Sequence, residues 1–289
     1  MRIETTAYYD EMVRYAAMAK TQQIECNLGT IPHLEGSVKD DLMRHVELYD
    51  VANRKYAGFT QILLDLWYNT SSNHPYAHKL HDVRKPICES FDGVESSWGL
   101  AEWLYVFIVH RVTGSGINYA KKPSGYNNTI LPKFWSCDTI EQMTHVIFNR
   151  ESTIYTSVGY QFPAFPKPTS DYKLGGDFFL CRYAPKLARE LAEWLESKGR
   201  RDLRVIGEWM FEWNKQRDLR AYKFQYAAVV SDIADFFPEY VNLDSPFFYG
   251  SNAVECLKYA AKPLSKGNEQ DFLDEVTMKF CKDIGSTAY

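Results

Sequence analysis

Residues 181–198 read CRYAPKLARELAEWLESK. Apolar and charged side chains recur there at helical spacing and Gly199 follows as a stop, so the segment reads as an amphipathic helix with one face for a core. The same pattern returns on both sides. Downstream, helices are expected over 203–213, over 219–237 until Pro238 interrupts, over 251–261 and over 269–283. Upstream, one is expected from Thr139 to Phe148 with Asp138 as its cap, and another from about Ser96 through WGLAEWLYVFIVH.

The first third continues in kind. Residues 1–25 read as an amphipathic helix carrying Tyr8, Met12, Tyr15, Ala16 and Met18. Leu42, Val46, Tyr49, Tyr56, Phe59, Leu63 and Leu66 fall mostly at three-and-four spacing, which gives two helices with a break between Asp50 and Arg54. Turn-rich loops are expected over 26–37 and 68–79, and a long irregular connection over 158–176, where three prolines and three glycines gather. Almost nothing alternates with period two. The fold class is therefore mainly α, with long ordered loops and no internal repeat. The chain of 289 residues reads as one helical catalytic domain, 1–289, within which 1–95 is at most an N-terminal helical subdomain.

Composition narrows the class. A net charge of -4 argues against a polybasic protein, although nucleic-acid binding depends on a local patch rather than the sum. The six cysteines stand singly, without C-x-x-C, so neither a zinc knuckle nor a disulfide framework is expected. The polar, acidic start MRIETTAYYDEM is unlike a signal peptide, and no apolar run reaches membrane length, so no membrane partner is expected and the cytoplasm is the default location.

The candidate chemistry begins where the apolar run ends. Residues 107–131, FIVHRVTGSGINYAKKPSGYNNTIL, turn abruptly polar: His110, Arg111, Ser115, Asn118, Tyr119, Lys121, Lys122, Tyr126, Asn127 and Asn128 stand among Gly114, Gly116 and Gly125. Such a stretch reads as a binding loop on an apolar scaffold or as an ordinary surface loop. Arg111, Ser115, Lys121 and Lys122 suit a phosphate, or form a solvated basic turn. Asn127, Asn128 and Thr129 suit a helix cap or a base edge.

Three further stretches matter. Asp177 follows two glycines and precedes a helix, as a cap or as an active-site carboxylate. Asp232 and Asp235 interrupt an apolar helix and must be capping, paired or functional. Ser251 ends a double turn into a helix beginning at Asn252, where backbone donors suit an anion. The basic band Lys198, Arg200, Arg201, Arg204, Lys215, Arg217, Arg220 and Lys223 is either a polyanion footprint or an exposed helix face. P-loop, H-E-x-x-H and zinc-deaminase motifs are absent, and Gly114-Ser115-Gly116 lacks the Rossmann spacing.

HRVTGSGINY (110–119), GYNNTI (125–130), GGDFFLCRY (175–183) and SDIADFFPEYVNLDSPFFYGSNAVECL (231–257) together resemble a bacteriophage DNA-hypermodification family. This is the alpha-glutamyl/putrescinyl thymine pyrophosphorylase group, which includes amino acid:DNA transferases and the helical domain attached to hydroxymethyluridine DNA kinases. The resemblance spans roughly residues 95–260. It implies a helical fold distantly like helix-hairpin-helix DNA glycosylases, and a location in the host cytoplasm.

It also implies a reaction on double-stranded DNA with modified thymine: a small amine donor, an amino acid or a polyamine, displaces phosphate or pyrophosphate from activated 5-hydroxymethyluracil. On that reading Arg111, Ser115, Lys121 and Lys122 receive the leaving group, and Asp177 or Asp232 takes the amine's proton. Tyr119 and Tyr126 stack on a flipped base. His110, Asn118, Asn127, Asn128, Arg182 and Ser251 complete the expected binding set, with Mg²⁺ open as a companion of the pyrophosphate. Two other readings stay open: a DNA glycosylase using a carboxylate such as Asp232, and a noncatalytic DNA-binding helical module.

Overall fold

Leu100–Thr113 (α1) buries every residue except Ala101 and Glu102. A helix apolar nearly all round cannot lie at a surface and becomes the axis about which others pack. The computed structural model describes residues 1–16, Leu63, Leu66, 98–113, 130–150, 166–197, 199–219 and 223–285. Within them, Ile140–Phe148 (α2), Ala184–Glu196 (α3), Leu203–Lys215 (α4), Lys223–Phe236 (α5), Ser251–Ala260 (α6) and Glu269–Asp283 (α7) follow α1. The architecture is mainly helical, as the spacing of apolar residues implies.

α3 and α5 are the chief neighbours of α1. Phe236 of α5 meets Trp103 and Phe107, with ring centres 5.9 and 5.2 Å apart. Tyr105 donates its hydroxyl to the Leu180 carbonyl (3.0 Å), and the Trp98 indole N–H donates to the Cys137 carbonyl (2.8 Å). These two buried aromatics thus settle their polar atoms on backbone, which avoids the cost of an orphan group. Leu63 and Leu66 are fully buried in the same core.

The long helix before residue 199 differs from its expected form. It starts earlier, with an α turn at Gly175–Phe178, passes through a π turn at Phe179–Tyr183, and only then becomes α3. Pro185 explains the change: without an N–H it cannot donate to the Cys181 carbonyl, so the ladder widens just upstream. Gly199, at φ +69°, ends the segment in the left-handed region. At α2 the cap is Thr139, whose hydroxyl accepts from the Gln142 N–H (3.4 Å). Asp138 instead donates its backbone N–H to Gln142 Oε1 (2.5 Å), making a reciprocal arrangement like a capping box.

Among the described residues, four short strands are the main departure from the expected helical pattern. Ile3–Thr5 (β1) pairs antiparallel with Ala261–Pro263 (β4), and Arg201–Asp202 (β2) pairs parallel with Val241–Asn242 (β3). At two or three residues each, none is long enough to show alternation. The chain therefore begins as a strand, and helix occupies only residues 7–16 of the described N-terminus. The expected helices over 42–66 and the loops over 26–37 and 68–79 lie outside the described residues, apart from Leu63 and Leu66. Most of the 1–95 segment does so too.

A second, smaller core joins the two ends of the chain. Tyr9 packs there with Tyr249, Leu257, Ala260, Ala261, Phe272, Leu273 and Val276. Arg204 of α4 bridges to it by pairing with Asp274 and donating to the Phe247 carbonyl (3.3 Å). Ser245 ties the same region to α4: its hydroxyl accepts from the Leu203 N–H (2.8 Å) and donates to the Asn242 carbonyl (2.6 Å). A helix start is thus capped from a loop 42 residues away. No helix of the described residues is long and apolar enough to cross a membrane.

Candidate functional site

The polar segment after α1 does not begin as a loop. His110, Arg111 and Thr113 form the last turn of α1, and all three are buried. Thr113 returns its hydroxyl to the Val109 carbonyl (2.8 Å). A buried guanidinium needs a partner, and Asp232 of α5 supplies it. Arg111 Nε donates to Asp232 Oδ2 (2.7 Å) and Nη2 donates to Oδ1 (2.5 Å), with the side chains 6% and 0% exposed. The fork matches the carboxylate bidentately, fixing α1 against α5. In this conformation each group is the other's partner, and neither faces solvent.

The rest of the loop, with Ser115, Asn118, Tyr119, Lys121, Lys122, Tyr126, Asn127 and Asn128, lies outside the described residues. The Arg111–Asp232 pair lies in the last described turn before them.

Asp177 has a different setting. It lies inside the α turn that Leu174 begins, so it does not cap that turn. Its Oδ1 accepts from Arg150 Nη2 (2.7 Å), while Arg150 Nη1 donates to the Ile147 carbonyl at the end of α2 (2.6 Å). Arg150 is 5% exposed and Asp177 16%, so the carboxylate is the outer member of the pair.

Around this pair the π turn gathers charge and rings. Arg182 is exposed, with its guanidinium 5.7 Å from the Tyr172 ring centre. Tyr172 contacts Phe148 and Phe178 at 5.5 and 5.4 Å between ring centres, and Phe178 contacts Tyr183 at 5.4 Å. Phe148 is the exposed edge of this cluster. Half-buried Cys181 lies within the same field. Burial first, then the negative charge of Asp177, pushes its thiol up to about 12, against the opposing pull of Arg150 and Arg182. It donates weakly to the Thr144 carbonyl (3.7 Å), and its raised thiol disfavours the nucleophilic thiolate.

Arg150 was not among the expected site residues. Its one signal in the sequence is position, a single arginine just past the apolar pattern of α2, and nothing there points across to Asp177. Ser251 is the exposed first residue of α6, as the expected helix over 251–261 has it, and Gly250 precedes it at the cap position without a side-chain cap. Nothing described brings Ser251 into contact with Asp177 or Arg111.

The basic band is largely consumed by neighbours. Arg204 pairs with Asp274, Arg217 with Glu190 (3.3 Å) and Lys215 with Glu212 (3.4 Å). Arg201 stacks over Trp194 at 4.4 Å and Arg217 over Trp213 at 3.8 Å. These are the contacts of arginines that hold helices together, with Arg200 left exposed. Lys198 and Arg220 fall outside the described residues. Among the described residues, no three His, Cys, Asp or Glu side chains gather as a metal site.

What the arrangement offers chemically is a half-buried carboxylate oriented by one guanidinium, beside a second guanidinium and several ring faces. Compared with known proteins, the chain matches no family model, no curated protein and no solved structure.

Proposed function

We propose that the chain is a DNA base-hypermodifying transferase, which replaces the phosphate or pyrophosphate on activated 5-hydroxymethyluracil in DNA with an amine donor, an amino acid or a polyamine. One observation carries this reading beyond the motif resemblance. Within 148–183, Asp177 is held by Arg150 beside Arg182 and the rings of Tyr172, Phe178 and Phe148. A carboxylate, a cation and flat apolar faces are the groups that such a transfer requires.

In the proposed reaction the donor enters as an ammonium and gives a proton to Asp177. The freed nitrogen lone pair attacks the C5 methylene; the new C–N bond forms as the C–O bond to the (pyro)phosphate breaks, and the leaving group departs with that electron pair. Arg182 and the loop cations Lys121 and Lys122 neutralise the departing charge. A ring of the Tyr172 cluster stacks on the exposed base. Arg150 is a positioning residue, since it acts through Asp177. The Arg111–Asp232 pair, closed on itself between α1 and α5, is assigned to the scaffold rather than to substrate.

The test is direct. The protein is incubated with DNA containing pyrophosphorylated 5-hydroxymethyluracil and pooled amino acids and polyamines, and the digested nucleosides are weighed. An amine-bearing thymidine supports transfer. Free base released from the DNA would replace the reading with a glycosylase. Unchanged nucleosides, with DNA bound and every donor present, would replace it with a binding module.

A further inference from the structure

The β1–β4 ribbon and the ends of α6 and α7 enclose an open groove of about 620 Å³ that shares no residue with the Asp177 cluster. Three lysines from three successive elements line it: Lys258 in the last turn of α6, Lys262 in β4 and Lys266 in the turn before α7. One lining carboxylate, Glu269, faces them and pairs with Lys258. The Met1 ammonium on the same wall is matched by Glu275 (3.2 Å), and Glu4 stands opposite Lys262 across the ribbon. Lys262 and Lys266 are exposed and, among the described residues, enter no ion pair. Set against Glu269, Glu275 and Glu4, the three lysines and the Met1 ammonium leave this groove slightly positive in a chain of net charge -4.

The floor is of another kind. Phe272 and Ala261 are buried beneath it, with Met1 and Pro263 completing an apolar surface. The first turn of α7 adds little attraction for an anion. Asn268 already accepts from the Asp271 N–H (2.8 Å), and Glu269 and Asp271 bring negative charge. The pull therefore comes from the lysines, and the shape comes from the apolar floor.

A volume of that size lies in the range of small-molecule sites, roughly 300–1,000 Å³. Ammonium groups beside apolar lining residues together match an organic phosphate better than a bare ion. We propose that this groove binds a nucleoside phosphate, with the phosphate on Lys262 and Lys266 and the base over Phe272 and Pro263. The phosphate belongs either to a free nucleotide or to a nucleic-acid strand. The inference stands apart from the transferase reading, because it uses different residues and needs no reaction.

ATP and a fluorescein-labelled oligodeoxythymidine are titrated separately into the full chain at low salt, for wild type and for the Lys262→Glu/Lys266→Glu variant. Wild type is expected to bind at least one probe with Kd below about 1 mM. The variant, with unchanged circular dichroism, is expected to bind at least about tenfold more weakly, while Lys262→Arg/Lys266→Arg retains binding. Loss of ATP binding assigns the groove to free nucleotides; loss confined to the oligonucleotide assigns it to strand phosphates. Binding of neither probe, or equal binding by the charge-reversed variant, overturns the proposal.

Discussion

Arg111 and Asp232, 121 residues apart in the chain, form a buried bidentate pair that locks the end of α1 to α5. Two charges removed from water together hold their place only as long as both are present. Arg111→Met alone, or Asp232→Leu alone, is expected to cost about 3–5 kcal/mol, because each leaves an uncompensated buried charge. The double substitution is expected to recover most of that loss. Urea unfolding of the three variants measures it; single variants within about 1 kcal/mol of wild type would contradict a closed pair.

Gly207 tests the packing between α4 and the segment before α6. A Cβ added there would stand 2.2 Å from Phe248 Cγ, inside a ring that is itself buried. Gly207→Ala should therefore destabilise the fold by about 1–3 kcal/mol, despite the better helix propensity of alanine. Thermal unfolding would show a lowered Tm; a raised one would mean that Phe248 moves aside freely.

The raised Cys181 thiol gives stability a dependence on alkaline pH. Its folded value of about 12 lies above the ordinary 9.0, so the folded state favours the protonated thiol. The contribution is fully present below pH 9.0 and is lost as pH rises toward about 12. Tyr249, pushed up to about 12 chiefly by burial, acts in the same direction. Denaturant unfolding across that window should show wild type losing stability with pH more steeply than Cys181→Ala. Parallel slopes would contradict the assignment.

Asp177 and Arg150 separate reaction from scaffold. Asp177→Asn is expected to slow transfer by about 10²–10⁴-fold, with DNA affinity and circular dichroism unchanged. Arg150→Ala is expected to lower stability as well, by about 1–3 kcal/mol, since it also releases the Ile147 carbonyl. Transfer undiminished in Asp177→Asn would assign Asp177 to the scaffold alone.

The helices were legible where a whole face repeats. The 269–283 segment has the observed bounds of α7, and Gly199 ends the α3 segment as expected. What escaped the sequence was set by distant partners. The strands are too short to alternate, and the π turn answers to one proline. Ser245 caps a helix that begins 42 residues before it. At the site, Arg111, Asp177 and Asp232 were all singled out as charged groups in apolar or glycine-rich surroundings. That Arg111 and Asp232 neutralise each other, and that Arg150 holds Asp177, depends on how α1, α2 and α5 pack, which no local pattern carries.

Base transfer is read most directly in the mass of nucleosides from pyrophosphorylated 5-hydroxymethyluracil DNA after incubation with amine donors, run in parallel for wild type and Asp177→Asn. Wild type should yield an amine-bearing thymidine, and the variant at least about a hundredfold less. Unmodified nucleosides from wild-type protein that binds the DNA, or equal product from both proteins, would contradict it.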